Sequence, residues 1–195
     1  MGGGNVAFKV TYVYGNKGAF TSPCTPRGRE INIEELQKVW CGQPQCECNK
    51  AFRAGNTKIL SATSDPCYDS VIFRDWAFAG GVWHNGPRKN QPIPLRQVIP
   101  GKYAFFTTRS VDMDENERIV VGCYVIRDVV EEQDGYYVRA QGKGIQVRNF
   151  DHAPKYWNFH KQKGGPRWGT GLFRYLTDRE AQALYQSVEN AAKKS

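Results

Sequence analysis

The hydrophobic and polar positions along the chain fall mostly into short β-like runs. Ala7–Tyr14 alternates like a strand, and Gly15-Asn16-Lys17-Gly18 reads as the turn that ends it. Ile33, Leu36 and Val39 fall three apart within Ile31–Trp40, which predicts a helix, and Glu34 and Glu35 near its start suit the helix dipole. Pro87, Pro92, Pro94 and Pro100 keep the middle of the chain extended and irregular. Lys102–Thr108 is then a compact β-rich run, and Asp112–Glu117 reads as a solvated acidic loop. Arg118–Ile126 carries Ile119, Val120, Val121, Cys123, Tyr124, Val125 and Ile126, the signal of a strand buried on both faces. A hairpin is expected at Gln133-Asp134-Gly135-Tyr136, between Arg127–Glu132 and Tyr136–Ala140, followed by a short strand at Gly144–Val147. Thr177-Asp178-Arg179-Glu180 is a capping box. It opens a closing helix whose apolar stripe is Ala181, Leu184 and Val188. Many short strands with few helices predict an α+β, mainly β protein, a small barrel decorated by helices.

Composition leaves that picture intact. With 195 residues, 40% hydrophobic and 24% charged, the chain is long enough for a core of its own and is not a disordered chain. No run approaches 18 apolar residues, so no membrane span or membrane partner is expected. Met1-Gly2-Gly3-Gly4-Asn5 lacks the basic and apolar regions of a signal peptide, which favours a cytoplasmic setting.

Charge changes the picture more. The formal net charge is +8, and it is unevenly spread: the first 134 residues are nearly balanced, while the remainder carries +7. Between Arg139 and Arg174, eight basic residues face the single acid Asp151 and are interleaved with Phe150, Tyr156, Trp157, Phe159 and Trp168. Cations mixed with aromatics suit a polyanion that also offers flat bases for stacking, so nucleic acid is the first candidate partner.

Five of the six cysteines lie in residues 1–70. Cys41, Cys46 and Cys48 sit on a polar, turn-rich segment where thiolates could converge on one ion. The preferred reading is a structural zinc knuckle with Cys24 as fourth ligand. Cys67 competes with Cys24, and reduced buried thiols or an iron–sulfur cluster are the alternatives. Four sulfurs would close the site, so this zinc would hold the segment together without catalysing. Cys123, in an apolar strand, reads as core.

Gly101–Arg109 followed by Glu117–Gly122, a glycine-led strand, a loop and a second strand ending in glycine, resembles the pseudobarrel of the PUA-like superfamily, which includes EVE, ASCH, YTH and SRA domains. Trp168–Leu176 is similar to a segment in PUA-like domains of bacterial modification-dependent restriction systems. The resemblance covers roughly residues 70–195. It implies a PUA-like pseudobarrel at 71–195 with flanking helices; the cysteine-rich extension at 1–70, read above as a zinc knuckle, lies outside the pattern. It also implies a reader of nucleic acid, chiefly of DNA carrying a modified base flipped into an aromatic pocket. Trp76, Trp83 and Trp157 would be its walls, although each also reads as a core residue; Asp75 or Asn85 would read the base edge. Gly80-Gly81 would let backbone approach the base closely. Arg88, Lys89, Arg109, Lys161, Lys163 and Arg167 would grip the backbone phosphates. Any nuclease served would be a partner or a domain outside this chain.

No catalytic signature stands out: His84, His152 and His160 form no metal-binding array, and no nucleophile elbow or phosphate-binding loop appears. The alternatives are a small ASCH-type ribonuclease using Lys102, Tyr103 or Arg109, and a protein–protein adaptor with exposed aromatics as hot spots.

Overall fold

A single mixed sheet organises the molecule, and each of its faces is buried under a different layer. The computed structural model describes residues 3–10, 33–34, 44, 46–55, 72–73, 75–83, 86–89, 91–110, 112–132, 135–169 and 171–195. Among these are seven strands: β1 (Asn5–Lys9), β2 (Ala77–Ala79), β3 (Tyr103–Thr108), β4 (Ile119–Glu132), β5 (Gly135–Ala140), β6 (Ile145–Gln146) and β7 (Phe173–Leu176). Two α-helices accompany them, α1 (Glu47–Arg53) and α2 (Asp178–Ala192). The sheet order is β2-β5-β4-β3-β1-β7, with β6 paired to β4. Only β1 and β3 run parallel. The expected α+β, mainly β class is what the chain adopts.

The first strand departs from the expected division at residue 70. β1 pairs with β3 on one side and β7 on the other, so residues 5–9 are an inner strand of the sheet rather than part of an appended extension. Its burial explains the placement, because Asn5 through Phe8 are all inaccessible and the strand needs cover on both faces.

β4 is one strand where a strand and a separate hairpin arm were expected. Its first half pairs with β3 and its second with β5. Two register shifts let it serve both. Phe106 opposes Gly122 but Thr107 opposes Val120, leaving Val121 extra, and a second irregularity leaves Arg127 extra. Such bulges bend a strand and change the phase of its side chains. Ile119, Val121, Tyr124 and Ile126 therefore face one core, and Val120 and Cys123 face the other. An apolar run without clean alternation is the expected result.

The first core lies inside the curl of the sheet. In sheet order β2 and β1 are four steps apart, about 19 Å if the sheet were flat. Yet the Phe8 and Phe78 rings stand 4.6 Å apart, with Phe106 against both. The sheet must roll up for these rings to meet, although its edges at β2 and β7 do not pair with each other. The second core lies outside the curl. There α2 places Ala181, Leu184, Val188 and Ala191 against Ala7, Phe105, Val120, Cys123 and Leu176. The capping box forms as expected: Thr177 Oγ1 accepts from the Glu180 amide at 3.3 Å, and Glu180 Oε2 accepts from the Thr177 amide at 2.7 Å.

No helix among the described residues is long and apolar enough to cross a membrane.

Candidate nucleic-acid interface

β2 ends in a glycine pair that turns the chain outward. Gly81 adopts φ +75°, open to glycine at little cost, and its amide neighbours lead into a narrow excursion. Val82 bridges Pro92, and the Trp83 amide donates to the Gln91 carbonyl at 2.9 Å. A turn at residues 86–89 presents Arg88 and Lys89 to solvent. Trp83 is 39% exposed, so its ring is open to a flat partner. Gly80 has a different role from the expected one: a Cβ there would press on Leu95 and the Ile93 carbonyl, so the glycine admits neighbouring chain.

Lys161, Lys163 and Arg167 lie on an exposed segment clamped at both ends. At its start, His160 Nδ1 lies 3.1 Å from Glu180 Oε1 on α2. At its end, Trp168 is buried and its indole donates to the Gly171 carbonyl at 2.7 Å. Gly164 and Gly165, at φ +92° and +87°, form the bend between. The base of the Trp83 excursion lies beside the chain just past this loop, since a Cβ on Gly81 would stand 3.1 Å from Leu172 Cδ2.

The three tryptophans proposed as pocket walls stand in three places. Trp76 and Trp83 flank opposite ends of β2. Trp76 is half-buried, holds φ +51°, and packs edge-on against Phe73 at 5.5 Å. A bulky residue in the left-handed region is strained by about 1–2 kcal/mol. Its ring sits where a Gly144 side chain would be, and that glycine makes room for it. Trp157 belongs to the second core with Tyr156 and Trp168, and its indole donates to Glu115 Oε1 at 3.3 Å. Trp76 packs against the first core, so Trp76 and Trp157 do not share a cage. Asp75 is exposed beside Trp76; Asn85 lies outside the described residues.

Arg109 has partners within the protein. Its Nε donates to Glu115 Oε2 at 2.9 Å and its Nη1 to the carbonyls of Ser110 and Met113. The expected solvated loop at 112–117 in fact delivers Glu115 to a partly buried cluster. Arg118, only 2% exposed, grips both oxygens of that carboxylate at 2.5 and 3.0 Å. Burial would push the Glu115 carboxyl up, but the bonds and charges of Arg118 and Arg109 outweigh it and hold the carboxyl below its ordinary value. Arg118 also stands 4.7 Å from the Trp168 ring centre, and Arg174 reaches the same ring at 5.6 Å. Partial burial, with the charges of Arg118 and Arg109, lowers the pKa of Lys9 at the end of β1, and Glu115 offsets only part of it.

Sequence spacing assigned no site role to Lys9, Glu115, Arg118 or Arg174. The one local trace is the three-residue step from Glu115 to Arg118, which lets the two side chains meet on one turn. Convergence of the other two depends on strand pairing.

Of the ribonuclease candidates, Lys102 is ion-paired to Asp178 at 2.8 Å and Tyr103 stacks on Tyr185 at 4.7 Å. Lys102 and Arg109 flank opposite ends of β3, about 20 Å apart along extended chain, so they cannot serve one scissile bond.

Cys46 is buried at the head of α1 beside Ile33, Ala51 and Phe52. Cys24, Cys41, Cys67 and the Cys48 side chain lie outside the described residues, and no group of three metal-binding side chains occurs among the described ones. Cys123 is core, and burial pushes its thiol well above the ordinary value.

No family model, curated protein or solved structure matches the chain.

Proposed function

We propose that this protein binds nucleic acid, with DNA carrying a modified base as its preferred target. The observation that carries the reading is the exposed Trp83 on an excursion with Arg88 and Lys89, whose base lies beside Leu172, a few residues past the loop bearing Lys161, Lys163 and Arg167. A flat apolar surface flanked by cations on two segments offers a flipped-out base a stacking partner and its flanking phosphates a rim. Trp83 is the stacking surface in this proposal, with Asn85 close in sequence to read the base edge. Trp76 and Asp75, at the other end of β2, would shape a second contact. The rolled sheet, with Phe8 against Phe78, supports assigning the fold to the PUA-like pseudobarrels. The same proposal keeps Cys24, Cys41, Cys46 and Cys48 as ligands of a structural zinc, and the buried Cys46 at a helix start suits that use.

Equilibrium binding to duplexes carrying 5-methylcytosine, 5-hydroxymethylcytosine, N6-methyladenine or no modification tests this. One modified duplex should bind more tightly, with affinity falling steeply as salt rises. Replacing Lys161, Lys163 and Arg167 with Gln should flatten the salt slope by about three phosphate contacts. Replacing Trp83 with Ala should cost about 1–3 kcal/mol of affinity without changing the slope. Absence of binding at low salt would remove the proposal.

A further inference from the structure

We propose that Lys9, Arg174 and Tyr156, backed by Arg109 and Arg118, form a binding site for a phosphate group, separate from the Trp83 rim. Four strands and one 3₁₀ turn bring these residues together. Lys9 ends β1, and Arg174 pairs across to Ala7 from β7. Arg109 follows β3, Arg118 precedes β4, and Tyr156 opens a 3₁₀ turn packed beneath them. Tyr156, Trp157, Trp168 and His160 stack around one another, with ring centres 5.0 to 6.3 Å apart, and give the cluster an aromatic floor.

Two features point to a ligand rather than to a self-contained structural network. The first is unspent hydrogen-bonding capacity. The Tyr156 hydroxyl and the Arg174 Nε–H are both buried and lack a partner. Tyr156 is fully inaccessible, and leaving such donors unpaired is costly. The second is charge. Arg118 and Arg109 are answered by Glu115, whereas Arg174 gives its Nη2 to the carbonyls of Arg167 and Trp168, which carry no charge. The carboxylate of Glu180 is already engaged by His160 and the Thr177 cap. Lys9 has no ion-pair partner among the described residues.

What is missing is therefore an acceptor with negative charge and several oxygens. A phosphate group supplies such an acceptor, and in this proposal it takes the Tyr156 and Arg174 donors together with the Lys9 ammonium. It would enter where Lys9 and Arg109 reach solvent. Since Arg174 also holds the Arg167 and Trp168 carbonyls, an occupied site would steady the end of the basic loop.

The test is a titration of the full chain with sodium phosphate at constant ionic strength, read by tryptophan fluorescence and by thermal unfolding. A saturable response to phosphate and none to acetate is expected. Lys9→Met should weaken phosphate binding about tenfold. Tyr156→Phe should weaken it as well. Yet it should leave the free protein as stable or more so, because it deletes a buried, unpaired hydroxyl. Those opposite signs separate a ligand-binding group from a packing residue. A non-saturating rise in stability is the general salting effect of phosphate and would overturn the site. So would an equal response to acetate, or unchanged binding in both variants. A 5′-phosphorylated dinucleotide, compared with its 5′-hydroxyl form, identifies the source: displacement of inorganic phosphate by the first alone marks a nucleic-acid end, and displacement by neither marks the free ion. The site does not depend on duplex binding, so failure of either proposal is seen without the other.

Discussion

Glu115 is the residue on which the described polar network turns. It accepts from Arg109, Arg118 and Trp157 together, so its loss leaves the almost fully buried Arg118 without a counter-charge. Glu115→Gln should cost about 3 kcal/mol in chemical denaturation at neutral pH. Because the folded carboxyl titrates below its ordinary 4.5, its contribution is complete above that value and is lost as pH falls through the lowered folded value. An acid titration of stability should show this loss in the parent chain and not in Glu115→Gln. None of this was visible in the run Asp112–Glu117, where five charged or polar residues in six read as solvent-facing. One of them turns inward because Arg118, just before the strand that follows, is buried, and a buried guanidinium must be paired.

At the scale of elements, local signals and long-range packing contribute unequally. The closing helix was legible down to its cap, since a capping box and a three-to-four spacing are both local patterns. Thr177→Ala should cost about 1 kcal/mol by removing the cap, and Leu184→Ala about 3 kcal/mol by opening the second core; differential scanning calorimetry reads both. Strand β4 was legible as apolar but not as continuous. Its two bulges are set by what β3 and β5 require, and nothing in residues 119–132 marks them. Gly122 shows the same dependence. A Cβ there would run into the Phe73 ring and the Ile145 carbonyl, so Gly122→Ala should destabilise by about 2 kcal/mol or more.

For the whole molecule, the uneven charge and the exposed Trp83 favour an acidic, base-bearing partner, and the cysteines favour a metal. Metal analysis of the purified chain should find about one zinc per molecule, with loss of metal and of thermal stability in Cys46→Ser; a metal-free parent would exclude the knuckle. The sequence by itself determined the mainly β class, the capped helix, the core position of Cys123 and the basic loop, because each rests on neighbours a few residues apart. Only the tertiary structure decided that residues 5–9 run inside the sheet, that Phe8 meets Phe78, and that Trp76, Trp83 and Trp157 stand apart. It alone brought Lys9, Arg109, Arg118, Tyr156 and Arg174 together. The reason is that strand order and bulge positions are settled by burying both faces of one rolled sheet at once, a condition that joins Asn5 to Leu176 and is carried by no single stretch of chain.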